Sequence, residues 1–171
     1  MIFTVGHSTR TFDELVDLLK THGVRQLADI RTVPRSRRHP HFAIDALSRA
    51  LPVTGIAYRH VPALGGLRKP RQDSVNTGWT HAGFRGYADY MQTQAFADAL
   101  ETLVAWSEVA PTAIMCAEAV WWRCHRRLVA DALVARGIVV RHILSRAEAK
   151  RHTITEFGVI EQGQVTYPGL F

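Results

Sequence analysis

Apolar positions along the chain alternate between two periods. Ile2 to Val5 is a short β-rich run closed by Gly6, and it predicts a first strand. Thr11-Phe12-Asp13-Glu14 has the form of a capping box, with Thr11 free to cap the first amides and Glu14 three residues on. Phe12, Leu15, Val16, Leu18 and Leu19 then recur at helical spacing until Gly23. Val24 to Ile30 predicts a second strand, and a β-α-β unit of this kind implies a parallel pair. A helix near Ile44 to Leu51, a strand over Ile56 to Val61, a long helix over Tyr87 to Ser107, a fully apolar strand over Thr112 to Ala117, a helix over Arg123 to Arg136 and a strand over Ile138 to Leu144 follow. Val159 to Tyr167 predicts a small hairpin turning at Gln162-Gly163. The alternation predicts an α/β fold, a three-layer sandwich with a mostly parallel central sheet and a small C-terminal hairpin. A single domain is expected over residues 1–171, with its core over about 1–145 and the hairpin tail over 151–171.

Two segments break the periodicity. Arg31 to Phe42 holds two prolines and dense positive charge, and Ala63 to Gly83 is rich in glycine and basic residues. Between Ile30 and Gln72 nine basic residues face the single acid Asp45, whereas the whole chain carries only +6. The positive field is therefore local, as suits nucleic acid or a phosphorylated ligand. No apolar run reaches the ~20 residues of a membrane helix. The N-terminus lacks the charged and cleavable parts of an export signal, so a cytoplasmic protein is expected. Cys116 and Cys124 are the only cysteines.

In open α/β sheets ligands bind beyond the carboxyl ends of the strands. Polar residues gather at those ends: His7, Ser8 and Thr9; Asp29 and Arg31; His60; Cys116 and Glu118. The following helix opens with Arg123, Cys124, His125 and Arg126. One crevice shared by these residues is the central expectation. His7, Asp29, Glu118 and Cys116 are the catalytic candidates. Ser8, Thr9, Arg31, Arg35, Arg37, Arg38, Arg68, Lys69, Arg71, Arg123, His125 and Arg126 are candidates for phosphate or nucleic-acid contacts, and Trp79, Trp121 and Trp122 for base stacking.

Several of these motifs occur together and in order: Val5-Gly6-His7-Ser8-Thr9, Asp29-Ile30-Arg31 with Pro34-Arg35-Ser36, Leu64-Gly65-Gly66, Phe84-Arg85-Gly86-Tyr87-Ala88-Asp89-Tyr90-Met91, and Met115-Cys116-Ala117-Glu118 with Arg123-Cys124-His125-Arg126. From about Ile2 to Leu144 the chain resembles the bacterial domain-of-unknown-function family 488. The resemblance implies an α/β domain with these motifs around one pocket, and Val120-Trp121-Trp122 as a variable insert.

Three chemistries are open. The first is an enzyme acting on nucleic acid or a nucleotide, most concretely hydrolysis of an N-glycosidic bond in DNA. A carboxylate (Asp29 or Glu118) would orient water or stabilise the sugar cation, with His7 as its polar partner. The second is sulfur or phosphoryl transfer through Cys116. A thiol at the end of a central strand, before a loop and a helix, resembles the layout of rhodaneses and cysteine phosphatases. Their loops favour glycine and a fixed Cys-to-Arg spacing; here Trp122 takes the arginine's place, Arg123 comes one later, and the loop has no glycine. Cys124, near a helix start, has a dipole that lowers a thiol pKa. The third is a non-catalytic nucleotide- or RNA-binding module. A metal held by Cys116, Glu118, Cys124 and His125 fits no short zinc spacing, and neither metal nor cofactor is expected.

Overall fold

The computed structural model describes residues 1–33 and 37–169. Arg35 and the rest of Pro34-Arg35-Ser36 lie outside the described residues.

Among the described residues one sheet has six strands: β1 (Ile2–Gly6), β2 (Gln26–Asp29), β3 (Ala57–His60), β4 (Thr112–Cys116), β5 (Val140–Ile143) and β6 (Lys150–Arg151). Their order is β3-β2-β4-β1-β5-β6, and every pairing is parallel except β5 with β6. β1 and β4 are wholly buried, as strands covered on both faces should be. Side chains alternate across the sheet. Phe3, Val5, Leu27, Ala113, Met115 and Ile143 pack under α1 (Phe12–Thr21) and α2 (Ile44–Val53). Ile2, Ala28, Ile114 and Val140 pack on the other face under α3 (Ala82–Tyr90), α4 (Gln94–Ser107) and α5 (Arg126–Ala135). Thr4, between Phe3 and Val5, shares the α5 face; the parity matters below.

The capping box forms as the sequence predicts: Glu14 N–H donates to Thr11 Oγ1 at 3.1 Å, and Thr11 N–H to Glu14 Oε1 at 3.0 Å. The hairpin of β7 (Val159–Glu161) and β8 (Gln164–Thr166) turns at Gln162 and Gly163, both at positive φ.

Two expectations need correction. The long helix over Tyr87 to Ser107 is two helices, α3 and α4. Thr93 Oγ1 accepts from Phe96 N–H at 3.3 Å and donates to the Tyr90 carbonyl at 2.7 Å, so one hydroxyl ends the first helix and starts the second. The helix expected from Arg123 is a 3₁₀ turn, Trp121–Arg123, followed by α5 from Arg126.

Candidate active site

A crevice of about 710 Å³ opens beyond the carboxyl ends of β1, β2 and β4. The strand order explains its place: the chain leaves β1 toward β2 on one side and later adds β5 on the other, which is where α/β sheets open a binding cleft. His7 N–H donates to the Cys116 carbonyl and Ser8 N–H to the Ala117 carbonyl, so the loops after β1 and β4 run on together. Gly6 allows this: a Cβ there would lie 1.7 Å from the Glu118 carbonyl oxygen. Ser8 itself turns at φ 50, a left-handed conformation uncommon outside glycine.

His7, Ser8, Thr9, Arg31, Cys116, Glu118, Arg123, Cys124 and His125 all line this crevice. Val33, His39, Leu67 and His81 stand on the same wall with no motif to mark them, and Phe84 and Tyr87 complete it. Among these Leu67 is 89% exposed at φ 62, a hydrophobic side chain held at the lip.

Asp29 is not on the wall. It is wholly buried, and its carboxylate accepts four hydrogen bonds: Arg31 N–H at 3.2 Å and Nε at 2.9 Å on Oδ1, Arg31 Nη2 at 2.7 Å and Tyr58 Oη at 2.6 Å on Oδ2. That fills its lone-pair sites and leaves none for a water or a proton. Asp29 therefore orients Arg31, and the catalytic role expected of it has no geometric basis. Burial, and then the negative charge and hydrogen bond of Asp29, push the Tyr58 hydroxyl far above its ordinary pKa, so it stays a donor.

His7 stacks on Phe42 at 4.4 Å. A carbonyl can only accept, so Nδ1–H donates to the Ser8 carbonyl at 2.9 Å, and Nε2 accepts from Arg31 Nη1 at 3.3 Å. Burial lowers its pKa to about 4; the Arg31 and His39 charges add to this, while the Ser8 bond and Asp29 oppose it. His7 is neutral at pH 7.

The cysteines differ. Burial pushes the Cys116 thiol well up, with its hydrogen bond to Cys124 acting in the same direction; the sulfur also points at the Glu118 carbonyl, 3.8 Å away. Burial would push Cys124 up too. Contacts with Cys116 and His125, with the charges of His125 and Arg126, outweigh it and hold Cys124 well below its ordinary value. Its sulfur lies 3.4 Å from His125 Nδ1 and accepts from Arg126 N–H at 3.5 Å. His125 Nε2–H donates to the Ile30 carbonyl at 3.0 Å, which leaves Nδ1 as the base facing the thiol.

The remaining basic candidates divide. Arg126 is wholly buried beneath the crevice, its Nη2 donating to the Glu118 carbonyl at 2.7 Å, so it cannot meet a bound phosphate. Arg68 lies over Tyr90 at 3.7 Å, and Arg71 pairs with Asp73 at 3.0 Å; neither they nor Lys69 line the crevice. Arg37 and Arg38 are exposed off its wall.

Trp79, expected to stack a base, is a core residue among Phe84, Phe157 and Tyr167. Trp121 is stacked on His142 at 4.2 Å and Trp122 is exposed; neither lines the crevice. His60 Nε2–H donates to the Arg31 carbonyl and is likewise off the wall. Among the described residues no group of three or more His, Cys, Asp or Glu side chains is gathered to hold a metal ion, and no helix is long and apolar enough to cross a membrane.

A family model described as "Domain of unknown function DUF488" matches residues 11–133. No curated protein and no solved structure matches the chain.

Proposed function

The chain belongs to the DUF488 family, and from that premise and the crevice geometry we propose a cysteine-dependent group-transfer enzyme whose nucleophile is Cys124 and whose base is His125. The observation that carries this is the Cys124–His125 contact at 3.4 Å, with the far ring nitrogen committed to the Ile30 carbonyl. The pair sits immediately before α5, where the helix dipole favours a thiolate. The nucleophile thus differs from the Cys116 expected from the strand-end position. Cys116 stays a protonated thiol beside it, with its S–H donating to the Glu118 carbonyl at 3.8 Å.

The substrate is an anionic, ring-bearing ligand of nucleotide type. Arg31 and Arg123 supply positive charge on the wall, and Phe84 and Tyr87 supply apolar faces. The loop after β4 turns the Glu118 and Ala119 carbonyls toward Arg126 and does not ring an anion with amides, which favours transfer of sulfur over phosphoryl. In the first step the Cys124 sulfur attacks the outer, sulfane-level sulfur of an anionic persulfide or thiosulfonate donor, so no outside oxidant is needed. The Sγ–S bond forms, the donor's bond to that sulfur breaks, and the leaving group takes the proton that His125 Nδ1 received from the thiol. An acceptor then attacks the outer sulfur and frees Cys124 as the thiolate.

Iodoacetamide labelling mapped by mass spectrometry tests the reading. Labelling of Cys124 at pH 6, slowed by a nucleotide such as AMP, is expected. A Cys124 that reacts only above pH 8 overturns it.

A second reading, N-glycosidic hydrolysis on DNA, rests on one observation: Glu118 is an exposed carboxylate on the crevice wall. Abasic-site formation on a uracil-containing oligonucleotide, abolished in Glu118→Gln and kept in Cys124→Ser, would establish that reading in place of the thiol one. No abasic product removes it.

A further inference from the structure

Arg126 is a fully buried cation with no carboxylate in contact among the described residues. Its Nη2 donates to the Glu118 carbonyl at 2.7 Å and the Ala119 carbonyl at 3.4 Å, its Nη1 to Thr4 Oγ1 at 3.4 Å, and its Nε has no partner among the described residues. A buried charge with only neutral partners is costly. Asp131, on the same helix and equally buried, accepts from His152 Nε2 at 2.7 Å, Tyr167 Oη at 2.7 Å and Thr155 N–H at 3.0 Å. The two charges are joined through side chains from elsewhere in the sequence. His152 Nδ1 lies 2.8 Å from His142 Nε2, and His142 Nδ1 lies 2.6 Å from Thr4 Oγ1.

Hydrogen-bond chemistry gives this chain one direction. A guanidinium can only donate, so the Thr4 oxygen accepts from Arg126. A carboxylate can only accept, so His152 carries its proton on Nε2. With one proton on each ring, His142 must then carry its proton on Nε2 and donate to His152 Nδ1, and its bare Nδ1 takes the Thr4 hydroxyl proton. Burial, then the neighbouring His152 ring and the charge of Arg126, lowers His142 to about 3 and keeps it neutral. Trp121 lies flat on His142, interplanar angle 3°, and fixes its plane.

We propose that Thr4, His142, His152 and Asp131 are positioning residues that hold Arg126 in place beneath Cys124, so that the thiol keeps its counter-cation and its backbone donor. The inference rests on the thiol reading above. Arg126 connects the two regions: its guanidinium ends the relay, while its own N–H donates to the Cys124 sulfur. The groups facing Cys124 are Cys116 from β4, His125 and Arg126 beside it, and Tyr87 from α3. Of these, Arg126 is the one that Thr4 touches.

The test is the pH profile of iodoacetamide labelling at Cys124 in Thr4→Val, which keeps the shape and removes the hydroxyl. The Cys124 rate at pH 6 is expected to fall about tenfold, the consequence of a one-unit rise in thiol pKa. Thr4→Ser should restore it; a purely structural role for Thr4 would lower the melting temperature and leave the profile in place. An unchanged profile in Thr4→Val, with wild-type labelling at pH 6, overturns the relay and leaves the thiol reading standing. Wild-type Cys124 unreactive below pH 8 overturns both. Should Thr4→Val not fold, ring ¹⁵N shifts of the wild-type protein decide: His142 and His152 both protonated on Nε2 and bare on Nδ1 support the relay, and any other tautomer pair overturns it.

Discussion

Tyr58 Oη donates to Asp29 Oδ2 across 2.6 Å, and the bond closes the last open position of a carboxylate that already holds Arg31 from three sides. Removing the carboxylate strands a buried guanidinium, whereas the Glu118 side chain is exposed and only its backbone carbonyl, which a side-chain change keeps, holds Arg126. Asp29→Ala should therefore cost about 3–5 kcal/mol of stability, and Tyr58→Phe about 1.5–3 kcal/mol. Glu118→Gln should stay within about 0.5 kcal/mol. Urea unfolding measures all three, and equal losses at Asp29 and Glu118 would contradict the division of roles.

Acid should weaken the fold before the carboxylates titrate. His7 binds its proton at about 4 and His142 at about 3 in the native state, against about 6.5 when unfolded. Between those values unfolding takes up protons, so stability rises with pH in this window. It is complete above about 6.5 and falls as pH drops toward 4. Melting temperature measured from pH 7 to pH 5 should decline, and His7→Gln, with no ring proton to gain, should show a shallower decline. A flat wild-type profile would mean that His7 is not held neutral.

The sheet was legible because each parallel strand is a short apolar run with a turn residue after it, and because Thr11 and Glu14 need only local geometry to cap α1. The crevice followed from strand ends. Which strand-end residue faces solvent did not follow, since that depends on side-chain direction and on distant neighbours. Asp29 is buried because Tyr58 and Arg31 close over it. Trp79 is buried because the C-terminal segment returns Phe157 and Tyr167 to it. Cys116 and Cys124 are distinguished only by His125, whose free nitrogen is set by a carbonyl 95 positions earlier, at Ile30. Asp131 left one trace in the sequence, an acid inside the apolar run from Leu128 to Leu133. Its partners His142 and His152 come from β5 and the segment beyond it, and no spacing rule joins them.

Cys116 supports its neighbour: the interaction between the two thiols raises Cys116 and lowers Cys124. Cys116→Ala removes that interaction and keeps His125 and Arg126, so labelling of Cys124 at pH 6 should slow by about 3- to 10-fold with no new site labelled. Cys124→Ser should leave Cys116 unlabelled at the same pH, because burial holds that thiol protonated. Prompt labelling of Cys116 in Cys124→Ser would reverse the assignment of nucleophile.

Gly6 tests whether the loop after β4 must lie against β1. A methyl there would meet the Glu118 carbonyl carbon at 2.6 Å as well as its oxygen, and both atoms are backbone, so no rotamer change relieves the clash. The same carbonyl is the shortest acceptor of Arg126. Displacing it would therefore disturb the cation under Cys124 as well as the packing. Gly6→Ala should destabilise the protein by about 1–3 kcal/mol, the range for overpacking. It should also slow Cys124 labelling at pH 6, although the substituted residue lies on a different strand from either cysteine. Gly137→Ala is the control: at φ 80 it carries backbone strain, yet nothing lies within 4 Å of the new methyl. It should lower stability and leave the labelling profile of Cys124 where it was. Loss of low-pH labelling in both variants would trace the effect to general destabilisation and not to the Glu118 carbonyl.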